Sequence, residues 1–229
     1  MTQLALPLQL ADHAVFASFL DSGNEALVAT LANIARGGGG HGCWLSGARA
    51  TGKTHLLQAV CEHAGDRSVY LPLAMIAQAG PEILDGMASR ELICIDDIQE
   101  IIGDPGWEAA LFDLCNQVFD AHGQLIVSAA SSPRECPFEL ADLRSRFSKL
   151  PVFQIHALDD DERIAALQLR SRHRGLDLSD DVAKYFLKRS RRDMASLYEL
   201  LDRLDREALR AKRRLTIPFV RSVLASDTG

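Results

Sequence analysis

Short apolar runs alternate with amphipathic stretches over the first two thirds of the chain. The stretch at 107–121 places apolar residues such as Leu111, Leu114 and Val118 on one side of a helix, as in helices that pack against a core. The apolar runs carry almost no charge, which is typical of strands buried on both faces of a sheet. This alternation predicts an α/β fold with a mostly parallel sheet flanked by helices. The predicted strands are 43–45, 69–71, 92–95 and 125–127, with 152–155 as a fifth.

Beyond about residue 156 the apolar residues recur only at the spacing of a helix. Asp159 and Glu162 have the spacing of a capping box that opens a helix, and Gly175 would end that helix. We therefore expect an α/β domain at 13–156 and a small all-helical domain at 157–229, preceded by an N-terminal tail at 1–12. Three more helical patterns begin near Ser179, Asp193 and Thr216.

A glycine-rich stretch lies between the first predicted strand and the next helix. Residues 47–54 read GARATGKT, which fits the P-loop pattern G-x-x-x-x-G-K-[ST]. Gly47 and Gly52 would let backbone amides converge on phosphate oxygens, and the dipole of the following helix favours the same anion. Lys53 would reach the β- and γ-phosphates, and Thr54 would bind Mg²⁺. A surface turn that matches by chance is the alternative, but the flanking strand and helix favour a nucleotide site.

Two acids, Asp96 and Asp97, end the third predicted strand. In P-loop enzymes an aspartate at this place holds Mg²⁺, which predicts a metal role for Asp96 and a role for Asp97 in handling the attacking water. Capping of the next helix by the two acids is the alternative. Cations that could meet a γ-phosphate are Arg144, Arg146, Arg191 and Arg192, although most surface arginines are simply solvated.

Composition excludes some classes of protein. The net charge of −6 and pI near 5.6 give no overall basic surface for non-specific DNA binding. The five cysteines are widely spaced and the chain shows no signal peptide, which predicts reduced thiols in the cytoplasm. The seven histidines lack zinc-site spacing, and no apolar run is long enough to cross a membrane.

Taken in order, the motifs resemble the AAA+ ATPase of the bacterial replication initiator DnaA. The ending LDRLDREALRAKRRLTIPFV and the tail QLALPL are more similar to the branch of that family that inactivates the initiator. The resemblance covers nearly the whole chain and implies a P-loop AAA+ module followed by a helical lid. Its motifs are FxxF…GN at 16–24, GARATGKTHLL at 47–57, ICIDDIQ at 93–99, LRSRF at 143–147 and RRDM at 191–194.

The resemblance implies roles for single residues and a cofactor of ADP or ATP with Mg²⁺. Asp96 would serve the metal together with Thr54, and Arg146 would be the arginine finger that reaches a neighbouring subunit's nucleotide. Ala129-Ala130 stands where a polar sensor is expected, and Asp97 is shorter than the usual glutamate, so we expect slow hydrolysis. The nucleotide-binding residues would be Asn24, Gly47, Ala48, Arg49, Ala50, Thr51, Gly52, Lys53, Thr54, His55 and, as the lid sensor, Arg192.

The N-terminal tail is similar to the clamp-binding peptides of bacterial replication proteins. Its leucines suit an apolar pocket, its glutamine supplies hydrogen bonds, and its proline limits the freedom lost on docking. A strand that packs on its own domain is the alternative. The predicted clamp-binding residues are Gln3, Leu4, Leu6, Pro7 and Leu8.

These inferences combine into one leading hypothesis. The chain would be a nucleotide-bound regulator that binds the DNA sliding clamp and promotes hydrolysis of ATP on DnaA, which prevents re-initiation. The helix-turn-helix domain that follows the lid in initiators is not seen before Gly229, so no sequence-specific DNA binding is expected. An autonomous ATPase or remodeller of clamp-loader type, and a recruiting adaptor with a purely structural nucleotide, are the alternatives. Homo-oligomer formation is left open.

Overall fold

The computed structural model describes residues 14–189 and 193–225, and a single sheet organises the first part of it. All five strands are parallel, in the order β2-β3-β4-β1-β5. The sequence therefore predicted the sheet correctly, and the AAA+-type α/β fold is confirmed. The strands are β1 (Gly42–Ser46), β2 (Ser68–Pro72), β3 (Leu92–Asp96), β4 (Gln124–Ala129) and β5 (Val152–Gln154).

Helices cover both faces of this sheet. Trp44, in β1, joins the core on one face, whereas its neighbours Cys43 and Leu45 join the core on the other, because successive strand residues point to opposite faces. The three central strands, β1, β3 and β4, are buried on both faces, which explains why they read as apolar runs, whereas the outer strands β2 and β5 are partly exposed. The helices of this part are α1 (Glu25–Ala35), α2 (Lys53–Ala64), α3 (Leu73–Ile76), α4 (Pro105–Asp120) and α5 (Ala141–Phe147).

Residues 75–87 do not form a continuous helix. After the single turn of α3 the chain forms three short 3₁₀ turns. Gly80 and Gly86 have φ values of 89° and 78°, which a continuous right-handed helix cannot contain, and Pro81 lacks the amide that a helix would need.

The C-terminal helices enclose a separate hydrophobic core, as the sequence predicted. Asp159 and Glu162 form the expected capping box, in which each side chain accepts a backbone N–H of the other residue at 2.8 Å. Leu197, Leu201 and Leu204 are fully buried in this core. The helices are α6 (Asp160–His173), α7 (Asp180–Arg189), α8 (Met194–Ala211) and α9 (Ile217–Ala225).

Strand register brings the carboxyl ends of the central strands to one edge of the sheet. Ser46, the last residue of β1, lies opposite Ala129, the last residue of β4, and β3 ends beside β4 at Asp96. Ligands of open parallel sheets bind at this edge. Within the described ranges, the helices are all too short or too polar to cross a membrane.

Candidate nucleotide-binding site

The predicted P-loop connects β1 to α2 with the backbone geometry that its glycines require. Gly52 has a φ of 102°, and a Cβ there would lie 2.7 Å from Cε2 of Phe19. Any other residue would therefore meet both a left-handed backbone and a ring in contact. Ala50 adopts a left-handed φ of 62° without this freedom, so the loop stores some strain.

The side chain of Lys53 turns back towards the first residues of the P-loop. Its side chain is 7% exposed, and Nζ donates to the carbonyl oxygens of Gly47 at 2.7 Å and Ala48 at 2.9 Å. Burial lowers the pKa of Lys53, whereas the charges of Asp97 and then Asp96 raise it. The ammonium thus lies between the loop and the acidic end of β3, where a phosphate group would meet it.

The two acids at the end of β3 take different positions. Asp96 is buried, and its carboxylate accepts hydrogen bonds from Tyr70 Oη at 2.7 Å and from Ser128 Oγ. Asp97 has a left-handed φ of 57° and lines the cleft above the loop. Its side chain makes no helix-cap hydrogen bond, so the capping alternative finds no support here. The metal role predicted for Asp96 stays a prediction, since it does not line the cleft.

Ser128 in β4 was missed by the sequence reasoning, which considered only Ala129-Ala130 at this end of the strand. The Ser128 hydroxyl donates to Asp96 and accepts the backbone N–H of Asp97 at 3.0 Å, so it links the two acids. Burial and the nearby Asp96 carboxylate raise the pKa of Tyr70, so its phenol stays a donor to Asp96. The sequence feature that could have identified Ser128 is a lone serine directly after the apolar run 125–127 of this strand. Ala130 lines the cleft, as an apolar side chain.

The P-loop and the lid helices enclose a cleft of about 690 Å³. The P-loop side contributes Lys53, Thr54 and Asp97, and the lid contributes residues of α6 and α8. Thr54 is exposed there, so its hydroxyl is free to reach a metal ion. The cleft is of the size that binds small molecules. Further predicted nucleotide-binding residues that line it are Arg49, Ala50, Gly52 and His55.

A small pocket of about 30 Å³ adjoins the cleft, and the segment before α1 forms one wall of it. Asn24, predicted to lie near the base, is among its lining residues. The Asn24 amide pairs with the backbone of His156, accepting its N–H at 2.8 Å and donating to its carbonyl oxygen at 3.4 Å. Ser22 donates to Glu162 of α6 at 2.5 Å. These contacts tie the N-terminal segment to the start of the lid.

His55, the residue after Thr54, faces the N-terminal segment. Its Nε2 lies 3.0 Å from the carbonyl oxygen of Val15, and its ring lies 5.6 Å from the ring of Phe19. Burial lowers the pKa of His55 to about 4, so the imidazole is neutral at pH 7.

Arg170, in α6, lines the cleft, and sequence reasoning did not select it. It is 8% exposed, and its guanidinium lies 4.2 Å from the centre of the Tyr198 ring. Ile164 and Leu167 precede it at helical spacing and are buried, so an arginine on an apolar stripe was the signal that could have identified it.

The predicted arginine finger lies elsewhere. Arg146, in α5, is half-buried and does not line the cleft, and its side chain makes no hydrogen bond or ion pair within residues 14–189 and 193–225. Its charge partly offsets the effect of burial, which raises the pKa of Cys115 to about 12. Arg144 is exposed.

Several of the predicted site residues lie outside the described part of the chain, so their predicted roles stay predictions. They are Gln3, Leu4, Leu6, Pro7, Leu8, Arg191 and Arg192.

Comparisons with known proteins agree with this geometry. Domain III of the replication initiation protein DnaA from Thermotoga maritima has a TM-score of 0.77 at 19% identity, covering 95% of this chain and 98% of that one. AMPPCP-bound DnaA from Aquifex aeolicus has a TM-score of 0.70 at 22% identity, covering 86% of this chain and 66% of that one. The RuvB branch migration motor of Thermotoga maritima has a TM-score of 0.65 at 18% identity, with 91% and 69% covered. These likenesses establish the fold.

Family models assign the chain more closely. The model of the bacterial DnaA ATPase domain matches residues 10–152, which is more than half of the chain. The model of the Hda lid domain matches residues 160–224, where the structure has its four lid helices. The chain therefore belongs to the bacterial DnaA ATPase-domain family of AAA+ proteins and carries a lid of the Hda type.

Proposed function

We propose that this chain is a cytoplasmic, nucleotide-bound regulator of chromosome replication that binds the DNA sliding clamp and promotes hydrolysis of ATP on the initiator DnaA. In this proposal residues 1–12 are the clamp-binding tail, 13–156 the nucleotide-binding domain and 157–229 the lid. One observation carries the proposal. Arg146 lies in the part of the chain that matches the DnaA ATPase domain, but it does not line this chain's nucleotide cleft, and its side chain has no hydrogen-bond or ion-pair partner in the described part of the chain. Its cation is therefore available to a neighbouring subunit.

The chain's own nucleotide, ADP or ATP, would occupy the cleft between the P-loop and the lid. Lys53 and the amides after Gly47 would bind its phosphates, and the adjoining pocket at Asn24 would take the base. Thr54 lines the cleft, and together with Asp96 at the end of β3 it would hold Mg²⁺, directly or through water, since this ion takes few protein ligands beside phosphate and water. Such an ion would neutralise phosphate charge, and Asp97, which also lines the cleft, would orient the attacking water.

Arg146 would act on the initiator's ATP, not on this chain's nucleotide. A guanidinium placed against the transferring phosphoryl group stabilises its charge in the transition state, and such fingers raise rates by about 10³–10⁵. The aromatic cluster of Trp44, Phe138 and Phe147 holds α5 to the sheet, with the Trp44 and Phe147 ring centres 5.3 Å apart. Arg146 is thus presented from a rigid helix.

The sequence similarity of the tail supports clamp binding. Docking through Gln3, Leu4, Leu6, Pro7 and Leu8 would concentrate the protein next to newly replicated DNA, where ATP on the initiator has to be removed. The proposed partners are therefore two proteins, the clamp and DnaA.

The decisive experiment measures ATP hydrolysis on DnaA in the presence of DNA-loaded clamp. Arg146→Ala should bind clamp and nucleotide normally but lose stimulation, whereas Arg144→Ala, which removes an exposed arginine of the same helix, should keep it. A tail variant with Gln3→Ala and Leu6→Ala should lose clamp retention and keep nucleotide. Normal stimulation by Arg146→Ala would favour a recruiting adaptor. Turnover by the chain alone above about 1 per second would favour an autonomous ATPase.

A further inference from the structure

We propose that Arg170 of the lid is a binding residue for the phosphate groups of the nucleotide, so that α6 and the P-loop hold the same anion from opposite sides. The inference rests on the proposed function in one respect, namely that the cleft binds a nucleotide. It concerns a residue outside the motifs that predicted the site.

The hydrogen bonding of Arg170 is incomplete without a ligand. Its side chain is nearly buried, yet its Nε has no partner, and no hydrogen bond of its guanidinium is present among residues 14–189 and 193–225. A guanidinium has five N–H donors, and burying charged donors unpaired is costly. Buried polar groups without partners are rare in native proteins. Among the described residues that have such an atom, Arg170 and Asp202 line the cleft, and of these two only Arg170 has donors that an anion in the cleft would satisfy.

The carboxylates of the lid also compensate the positive charge of Arg170 only in part. Its nearest carboxylate oxygen is Oδ1 of Asp202, 3.8 Å from Nη2, which is too far for a hydrogen bond. That same oxygen lies only 2.6 Å from Nη1 of Arg174, which also approaches Asp205 at 3.7 Å. Arg174 is therefore the closer cation to Asp202, although this buried oxygen completes no hydrogen bond, and Asp202 offsets the charge of Arg170 only in part. The remaining positive charge is available to an anion.

Tyr198 fixes the orientation of this cation. The guanidinium carbon lies over the ring at 4.2 Å from its centre, a cation–π contact that uses none of the N–H donors as a conventional hydrogen bond. Those donors can form two parallel hydrogen bonds to phosphate oxygens. The charge of Arg170 also adds to the effect of burial in lowering the pKa of His55, which follows Thr54, so the cation lies near the phosphate end of α2.

The test compares ADP with adenosine as ligands of the full chain. Dissociation constants are measured with a fluorescent ADP analogue, and adenosine is measured as its competitor. Arg170→Met should weaken ADP binding by about 10-fold to 100-fold and leave adenosine within about 2-fold, since a lost charge-assisted contact has this size. Arg170→Lys should recover a large part of the loss. Arg172→Met, which removes an exposed arginine of the same helix, should change neither constant.

Salt provides a readout that a purely structural role would not move. ADP binding by the parent should weaken with rising salt more steeply than binding by Arg170→Met, because the variant has one fewer cation at the phosphates. Equal salt dependence, or equal ADP affinity of the parent and Arg170→Met, would overturn the inference. So would parallel losses of ADP and adenosine, which would place the contact at the nucleoside or in lid packing. Absence of ADP binding by the parent itself would instead reject the proposed function.

Discussion

Lys53 forms the most specific set of contacts in the P-loop. Its ammonium uses two of three donors on the carbonyl oxygens of Gly47 and Ala48, so it holds the loop in shape while it keeps capacity for a ligand. The lysine therefore has two functions, and its removal acts on both.

We expect Lys53→Ala to weaken ADP binding by about 1.5–3 kcal/mol, the size of a hydrogen bond to a charged group. Calorimetry of ADP binding measures the change, and Lys149→Ala, at an exposed lysine outside the cleft, is the control. Unchanged affinity of Lys53→Ala would remove the basis for assigning phosphates to this loop.

Residue identity alone predicted the P-loop but not the whole site. The loop could be identified because its backbone demands glycine at fixed spacing, and the register of the strands then determines its place. Ser128 and Arg170 each left a local signal, a polar residue on an apolar strand or helix face, which indicates burial. The signal does not name the partner from a distant element, Asp96 for Ser128 and Tyr198 for Arg170, and so both were missed. The sequence predicted different roles for Asp96 and Asp97, and these stay predictions. What the sequence could not give is the geometry that separates them, since Asp96 is buried while Asp97 has a left-handed backbone and lines the cleft.

At the scale of elements, α5 depends on a buried carboxylate from α4. Glu108 is fully buried and accepts backbone N–H groups of Gly103 at 2.9 Å, Glu139 at 3.2 Å and Leu140 at 2.7 Å. Leu140 is the N-cap of α5 and offers no side-chain cap of its own. Glu108 therefore supplies from α4 the acceptor that the start of α5 lacks.

Glu108→Gln should destabilise the fold by about 1–3 kcal/mol, because the amide has one acceptor oxygen and no charge for three donors. Urea unfolding measures this loss. Since α5 carries Arg146, stimulation of DnaA should fall as well, while ADP affinity stays unchanged. Glu139→Gln, an exposed acid on the same loop, is the control. Equal stability of parent and Glu108→Gln would show that these contacts are replaceable by water.

At the scale of the molecule, the N-terminal segment, the P-loop helix and the lid form one connected unit. His55 contacts Val15 and Phe19, while Ser22 binds Glu162 across the boundary to α6. Burial favours the neutral imidazole in the folded chain, so the stability of the unit depends on pH.

The sign of that dependence follows from the pKa of His55, which is about 4 in the folded chain against 6.5 as the ordinary value. Between these values the unfolded chain binds the proton and the folded chain does not, so stability falls as the pH falls. The loss reaches at most about 3 kcal/mol near pH 4. His55→Gln keeps an amide donor for Val15 and should lose less stability between pH 7 and 4 in thermal unfolding. Identical pH profiles of the two proteins would contradict this.

The small pocket beside Asn24 has a further consequence for nucleotide exchange. Its space of about 30 Å³ suits a water molecule and is far too small for a purine. A base that binds there would have to displace lining side chains, Phe19 and Tyr198 among them, on entry and again on leaving. Exchange would then proceed at the rate of this opening, on the timescale of lid motions and not of diffusion. A bound nucleotide would then dissociate slowly, with a residence time set by how often these side chains move apart.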